Sequence, residues 1–222
     1  FADIPRRENP VPLELTTEEP ERTEPRSIVA RAPNVPLPVR GTLWKGPKIA
    51  TEDTAALEVL SAIMASGDNS RLNEALVRSG KAVDAVFFYG PGEEAGMIAG
   101  FAITNPAADA AEVKTILDAE FEKVRTAPVS LAELREAKNE LMSSTLRGRE
   151  TARGRAFELG EALVSTGDPG AADNRLEAIA AVTVADVQRA AAKWLDPQGR
   201  VDISYERGEE NPQEWANPYP FP

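Results

Sequence analysis

The chain has 222 residues and a formal net charge of −11, with 25 Lys and Arg against 36 Asp and Glu. That balance argues against nucleic acid, which is bound through clustered Lys and Arg, and against an anionic membrane surface. Neither cysteine nor histidine is present. Disulfides, thiolate metal sites, Ser–His and Cys–His pairs and the commonest zinc ligand are therefore excluded.

Apolar residues make up 42% of the chain, enough for a sizeable core in one large domain with appendages. No apolar run approaches the roughly 20 residues of a membrane span. The opening, "FADIPRRENP", has neither an initiator Met nor a signal peptide and reads as a processed product or a cut piece.

Residues 1–26 are rich in Pro and in charges of both signs, which predicts a linker rather than a packed element. Ser27–Arg31 and Leu37–Trp44 read as strands, pushed toward a sheet edge or toward irregular ends by the surrounding prolines. Thr51–Ser66 reads as a helix, with Thr51, Glu52 and Asp53 suited to its N-terminus and Ala56, Val59, Leu60 and Ile63 on a buried face. "SGDNS" breaks it, and Asp68, Asn69 or Ser70 can cap a short helix, Arg71–Ser79, which Gly80 ends. Ala82–Tyr89 and Ala95–Thr104 form a predicted hairpin. Val83, Ala85, Phe87 and Tyr89 share one face of it, and both faces are apolar enough to predict cover on both sides.

A helix follows over Ala108–Thr126, with Val113, Ile116, Leu117, Phe121 and Val124 on one stripe. "SLAE", Ser130 to Glu133, has the form of a capping box and opens a helical stretch to about Ser165. Gly148, Gly154 and Gly160 predict a kink, a break or close packing within that stretch. "GDPG" stops it. Helices over Ala171–Ala181 and Val184–Leu195 follow, the second opened by "TVAD" and ended at Pro197. Arg200–Glu206 is the last strand, and 207–222 is a Pro-rich tail. The order predicts an α+β domain over 27–206, with a mainly antiparallel sheet and helices on one face.

Chemistry was sought along this frame. Carboxylates alone suit hard cations, but Glu93-Glu94 and Glu209-Glu210 lack the alternating ligands of a calcium loop and read as solvated surface. No G-x-S-x-G and no Ser-x-x-Lys occurs. "GPGEEAG", Gly90 to Gly96, precedes a strand where a dinucleotide loop needs a helix, and its Glu pair would repel a pyrophosphate.

Four segments in order carry a resemblance: "EDTAALEVLSAIMASGDNSRLNEALV" (Glu52–Val77), the hairpin after it, "SLAELREAKNELMSS" (Ser130–Ser144) and "VTVADVQRAAAKWLDP" (Val182–Pro197). Together they resemble the second, non-zinc-binding half of a pitrilysin/insulinase-type zinc peptidase of the processing-peptidase kind. The resemblance runs from Phe1 to about Tyr205. It implies a clamshell in which another half, in cis or in a partner subunit, carries H-x-x-E-H and the zinc. This chain would then hold no cofactor and would wall a chamber for a peptide substrate. A periplasmic location is implied by the same likeness.

In that family the second half often supplies an Arg and, seven residues on, a Tyr that steady the substrate carbonyl. The matching positions here are Val77 and Asp84, so no catalytic residue and no metal ligand is expected. Arg71, Arg78 and Asp84 are the candidate chamber residues, Arg78 having the further reading of a solvated cation at a helix end. Two alternatives stay open: a scaffold or assembly subunit without a peptidase role, and an unrelated α+β binding domain.

Overall fold

A computed structural model describes residues 20, 22–92 and 94–209. The expected linker at 1–26 and tail at 207–222 lie largely outside those residues. Five strands form one mixed sheet: β1 (Arg26–Ala32), β2 (Val39–Gly46), β3 (Ala82–Gly90), β4 (Gly96–Thr104) and β5 (Val201–Arg207). Their spatial order is β1-β5-β2-β4-β3. β1 runs parallel to β5 and the other neighbours are antiparallel. The fold is α+β, as the element order predicts.

β1 takes an edge, one of the two outcomes expected for both strands, whereas β2 is central. Pro36 and Pro38 precede it and Pro47 follows it, so no proline removes a ladder hydrogen bond from it.

The helices are α1 (Thr54–Ala65), α2 (Ala110–Thr126), α3 (Leu131–Gly148), α4 (Ala152–Thr166), α5 (Ala171–Ala181) and α6 (Val184–Trp194). α1, α2 and α6 lie directly on the sheet. Their apolar stripes bury Leu57, Leu60, Leu117 and Val187 against Trp44, Phe87, Tyr89 and Ile98. Phe121 is the hub: the Trp44 ring meets it edge-on at 5.1 Å and the Phe87 ring at 5.8 Å. Gly100 lies beneath it, where any Cβ would strike the Phe121 ring. α3 and α5 pack on α1, and α4 packs on α5 as the outermost layer.

The two predicted capping boxes both form, at Ser130 with Glu133 and at Thr183 with Asp186. The break predicted in the long helical stretch falls between Gly148 and Ala152, whereas α4 runs uninterrupted through Gly160, which nothing crowds.

Asp53 departs from its expected role. It stands at the N-cap of α1 but its side chain makes no capping bond. It is buried instead and accepts hydrogen bonds from Arg189 (3.0 Å), Lys193 (2.8 Å) and Trp194 (2.9 Å) of α6. Burial pushes this carboxyl up, but the Lys193 and Trp194 hydrogen bonds and the Lys193 and Arg189 charges outweigh it, and its pKa lies below the usual value. The carboxylate thus ties the first helix to the last.

Replacing Asp53 by Asn leaves that cluster without its anion, and a loss of about 2 kcal/mol is expected in urea denaturation at neutral pH. Because the folded-state pKa is depressed, Asp53 contributes stability above its unfolded value near 3.9 and loses it as pH falls through the folded value. The difference between wild type and D53N therefore closes in acid.

Candidate functional site

The stretch from Ser70 to Gly90 holds every position singled out for chemistry. Ser70 is buried, and its hydroxyl donates to the Gly67 carbonyl (2.8 Å) rather than capping. The segment after it was expected to be an ordinary short helix. It widens instead into one π turn, Asn73–Val77, in which the Arg78 N–H reaches back to the Asn73 carbonyl at 2.8 Å. Gly80 ends it at φ +73°, a left-handed conformation that glycine adopts without Cβ strain.

The chain then enters β3, the other edge of the sheet. A register irregularity between Ala82 and Asp84 turns Val83 outward. It is exposed, so the face it was expected to share with Ala85, Phe87 and Tyr89 begins only at Ala85.

Val77 packs half-buried against the core. Asp84 is exposed and accepts a hydrogen bond from the Ala85 N–H at 2.9 Å. Arg78 pairs with Glu74 one turn earlier (2.8 Å), both in solvent, as the reading of a helix-end cation has it. Arg71 reaches across to α3, where its Nε donates to Glu133 at 2.7 Å. The candidates Arg71, Arg78 and Asp84 share no hydrogen bond or ion pair among the described residues.

Glu133 was visible in the sequence only as a capping residue, because its partner Arg71 is 62 positions away. Burial raises its pKa, but hydrogen bonds from Arg71 and Ser130 and the Arg71 charge outweigh it and bring it to about 2. An open cleft of about 450 Å³ lies beside this pair, between the end of α1 and α3, lined by Ile63, Ser66, Asn69, Glu133, Glu136 and Arg147 among others. No three acidic residues converge as a metal site among the described residues. Glu93 and Glu210 of the two carboxylate pairs lie outside those residues.

The sheet presents a second feature, hidden from any local reading. Residues alternate between its faces, and one set (Ala85, Phe87, Tyr89, Ile98, Ala102) lies under the helices. The other set comes into register across four strands, with Val86 beside Phe101, Phe88 beside Ala99, and Leu43 between Ala99 and Val201. No helix covers this second face among the described residues. Met97 and Tyr205 are exposed on it, and Val86, Phe88, Phe101 and Ile203 are half-buried. Among the described residues the cover expected on both sides of the hairpin is thus present on one side only, because the helices form layers on a single side.

The described residues thus form an α+β domain with helices on one side of its sheet and an apolar face open on the other. Comparison with known proteins identifies its family. The family profile described as "Peptidase M16 inactive domain" matches residues 1–141. The chain belongs to that family.

Among solved structures, a protease from Helicobacter pylori superposes with a TM-score of 0.85 at 19% identity, over 93% of this chain and 50% of that one. A peptidase M16 inactive domain from Pseudomonas fluorescens gives 0.68 at 18% identity, over 86% and 45%. The periplasmic protease PqqL from Escherichia coli gives 0.65 at 16% identity, over 84% and 21%. At such identities the likeness is one of fold. The chain spans about half the length of the Helicobacter pylori protease. No curated protein matches it by sequence.

Glu133→Gln removes the anion facing Arg71 while keeping the shape of the capping residue. Solvent screening at these part-exposed groups limits the expected loss to about 1 kcal/mol at neutral pH. Since the folded pKa is depressed, the contribution is present above the unfolded value near 4.3 and fades as pH falls through about 2. Acid titration of both proteins by circular dichroism checks this: the two curves converge at the acid end.

Proposed function

We propose that this chain is the non-catalytic half of a zinc metallopeptidase. It docks through the open face of its sheet on a unit carrying H-x-x-E-H, in the same polypeptide or in a partner subunit, and forms one wall of a peptide chamber. One observation carries the reading: a face with Leu43, Val86, Phe88, Met97, Phe101 and Ile203 in register, uncovered by any helix among the described residues. Burying such a face against a second unit yields about 25 cal/mol per Å² of apolar surface removed from water. A chain without His or Cys has no ordinary zinc ligand of its own, so the metal and the activated water belong to the companion.

Substrate contacts from this half then rest on orientation. Arg78, exposed and paired among the described residues with Glu74, is the candidate cation for a peptide. Arg71, engaged with Glu133, positions α3. Where the companion lies in the same polypeptide, residues 1–26 are the proposed linker to it, and a periplasmic site is proposed by analogy with PqqL.

A second reading, an assembly subunit kept for docking alone, is favoured by one observation. The positions where the family's Arg and Tyr are expected hold half-buried Val77 and exposed Asp84, and neither can stabilise an oxyanion.

Mixing the chain with its zinc-bearing half and assaying peptide cleavage separates the readings. The proposal expects the rate of the zinc-bearing half to rise on addition of this chain. It also expects Met97→Asp, a charge placed on the open face, to weaken assembly by about tenfold or more. Assembly without a rate gain selects the scaffold reading, and assembly indifferent to M97D overturns the docking surface.

A further inference from the structure

We propose that α4 is a releasable helix: it detaches while the core of the domain stays folded, and the side chain of Arg149 is the latch that holds it. None of its fifteen residues is buried. The half-buried ones are Gly154, Glu158, Ala162 and Ser165. At 100° per residue they fall within an arc of about 80°, the side turned to the domain. That side offers a glycine, a methyl, a hydroxyl and a carboxylate. The large apolar residues Phe157, Leu159, Leu163 and Val164 are all exposed. The helix is thus docked by its polar side, the reverse of the usual amphipathic arrangement. Apolar burial, which fixes α1 and α2, contributes almost nothing to its placement.

What holds it is a charged joint. Arg149, at the C-cap of α3, grips the Glu158 carboxylate with two nitrogens, Nε at 2.8 Å and Nη2 at 2.8 Å. The same guanidinium donates to Asp173 (2.7 Å) and to the Ala172 carbonyl (3.2 Å) of α5. One side chain therefore joins three helices. The two-pronged bond to Glu158 is the geometry that makes Arg–carboxylate pairs strong. All three charged groups are reached by solvent, Asp173 most of all, so salt screens the joint.

The neighbouring helices are anchored separately. α5 buries Ile179 in the core and is pinned to α1 by Arg175 and Glu58 (2.8 Å). α3 buries Leu134 and Ala137 and is tied to Arg71 through Glu133. Loss of α4 leaves both in place. α4 itself is at the length limit of an isolated helix, and Gly154 and Gly160 disfavour it further. Its caps, Thr151 on the Gly154 N–H and the left-handed Gly167, satisfy only its own ends. Detachment and unravelling are therefore one event, with the movement absorbed at Gly148–Thr151 and at Gly167–Gly170.

Ionic strength is the signal that such a latch reads. The Debye length falls from about 10 Å at 0.1 M salt to about 3 Å at 1 M. The ion pairs of α2, Lys114 with Asp118 and Arg125 with Glu122, are screened as well, but buried Leu117 and Phe121 keep that helix in place. Salt thus opens α4 selectively. The open sheet face takes no part in this.

Hydrogen–deuterium exchange of the whole chain, followed by mass spectrometry, tests the latch helix by helix. In wild type, α4 is protected but exchanges about a hundredfold faster than α1 and α2, because its opening does not require theirs. Raising salt from about 0.05 M to about 1 M speeds α4 about fivefold and leaves α1 and α2 unchanged. Arg149→Met keeps the apolar stem and removes the guanidinium. It speeds α4 about tenfold or more and abolishes the salt response, with α1 and α2 as slow as in wild type. Glu158→Gln gives the same pattern at about fivefold. A guanidinium that only stabilised the fold as a whole would speed every helix alike. The proposal is overturned by an α4 that exchanges as slowly as α1, by one with no protection in wild type, by exchange indifferent to salt or to R149M, or by R149M speeding all helices equally.

Discussion

Four of the five strands carry apolar residues on both faces, and among the described residues helices cover only one. On the covered side, β3, β4 and β2 place Phe87, Ile98 and Trp44 beneath the helical layer, and the core closes around Phe121. On the other side the same pleat brings Leu43, Phe88, Phe101 and Ile203 to the surface. A sheet cannot bury one face and stay indifferent about the other, because alternate residues are committed to each. The inactive-domain family to which the chain belongs, and its span of about half the Helicobacter pylori protease, are compatible with a second unit on that face.

Charge does a different job from apolar area. The core supplies the driving force, while buried or half-buried carboxylates choose which helices meet. Asp53 ties α1 to α6, Glu133 ties α3 to the π turn through Arg71, and Asp202 joins Thr42 of β2 to Lys114 of α2. None of these carboxylates is grouped as a metal site would require. The acids that might have suggested catalysis are held by cations for architecture. The segment Ser70–Gly90 keeps its turn and strand, with half-buried Val77 and exposed Asp84 at the two positions where the resemblance leads one to expect Arg and Tyr.

The helical layers grade outward from mostly buried to mostly exposed. α1 buries seven residues, α5 two and α4 none. An outer helix with an apolar face but no burial gains nothing from packing that face, so its placement falls to caps and ion pairs. Among the described residues the domain consequently exposes apolar side chains on two elements, the open sheet face and α4.

Much was legible in the one-dimensional pattern. Helical spacing of Val59, Leu60 and Ile63, alternation in Phe87–Tyr89, the boxes at Ser130 and Thr183 and the glycine at position 80 are local signals, and local hydrogen bonding and sterics decide them. The absence of imidazole and thiol was equally plain, and it set the limits of any metal chemistry. What the chain order could not reveal was pairing at a distance. Asp53 looks like a cap until α6, some 140 residues on, supplies Lys193 and Trp194. Arg71 looks free until α3 supplies Glu133. The hairpin looks covered on both faces until the helices are seen to share one side. Composition and periodicity determined what each segment would be. Only the tertiary structure decided which surfaces were used up and which were left for a partner, because that depends on where distant segments meet.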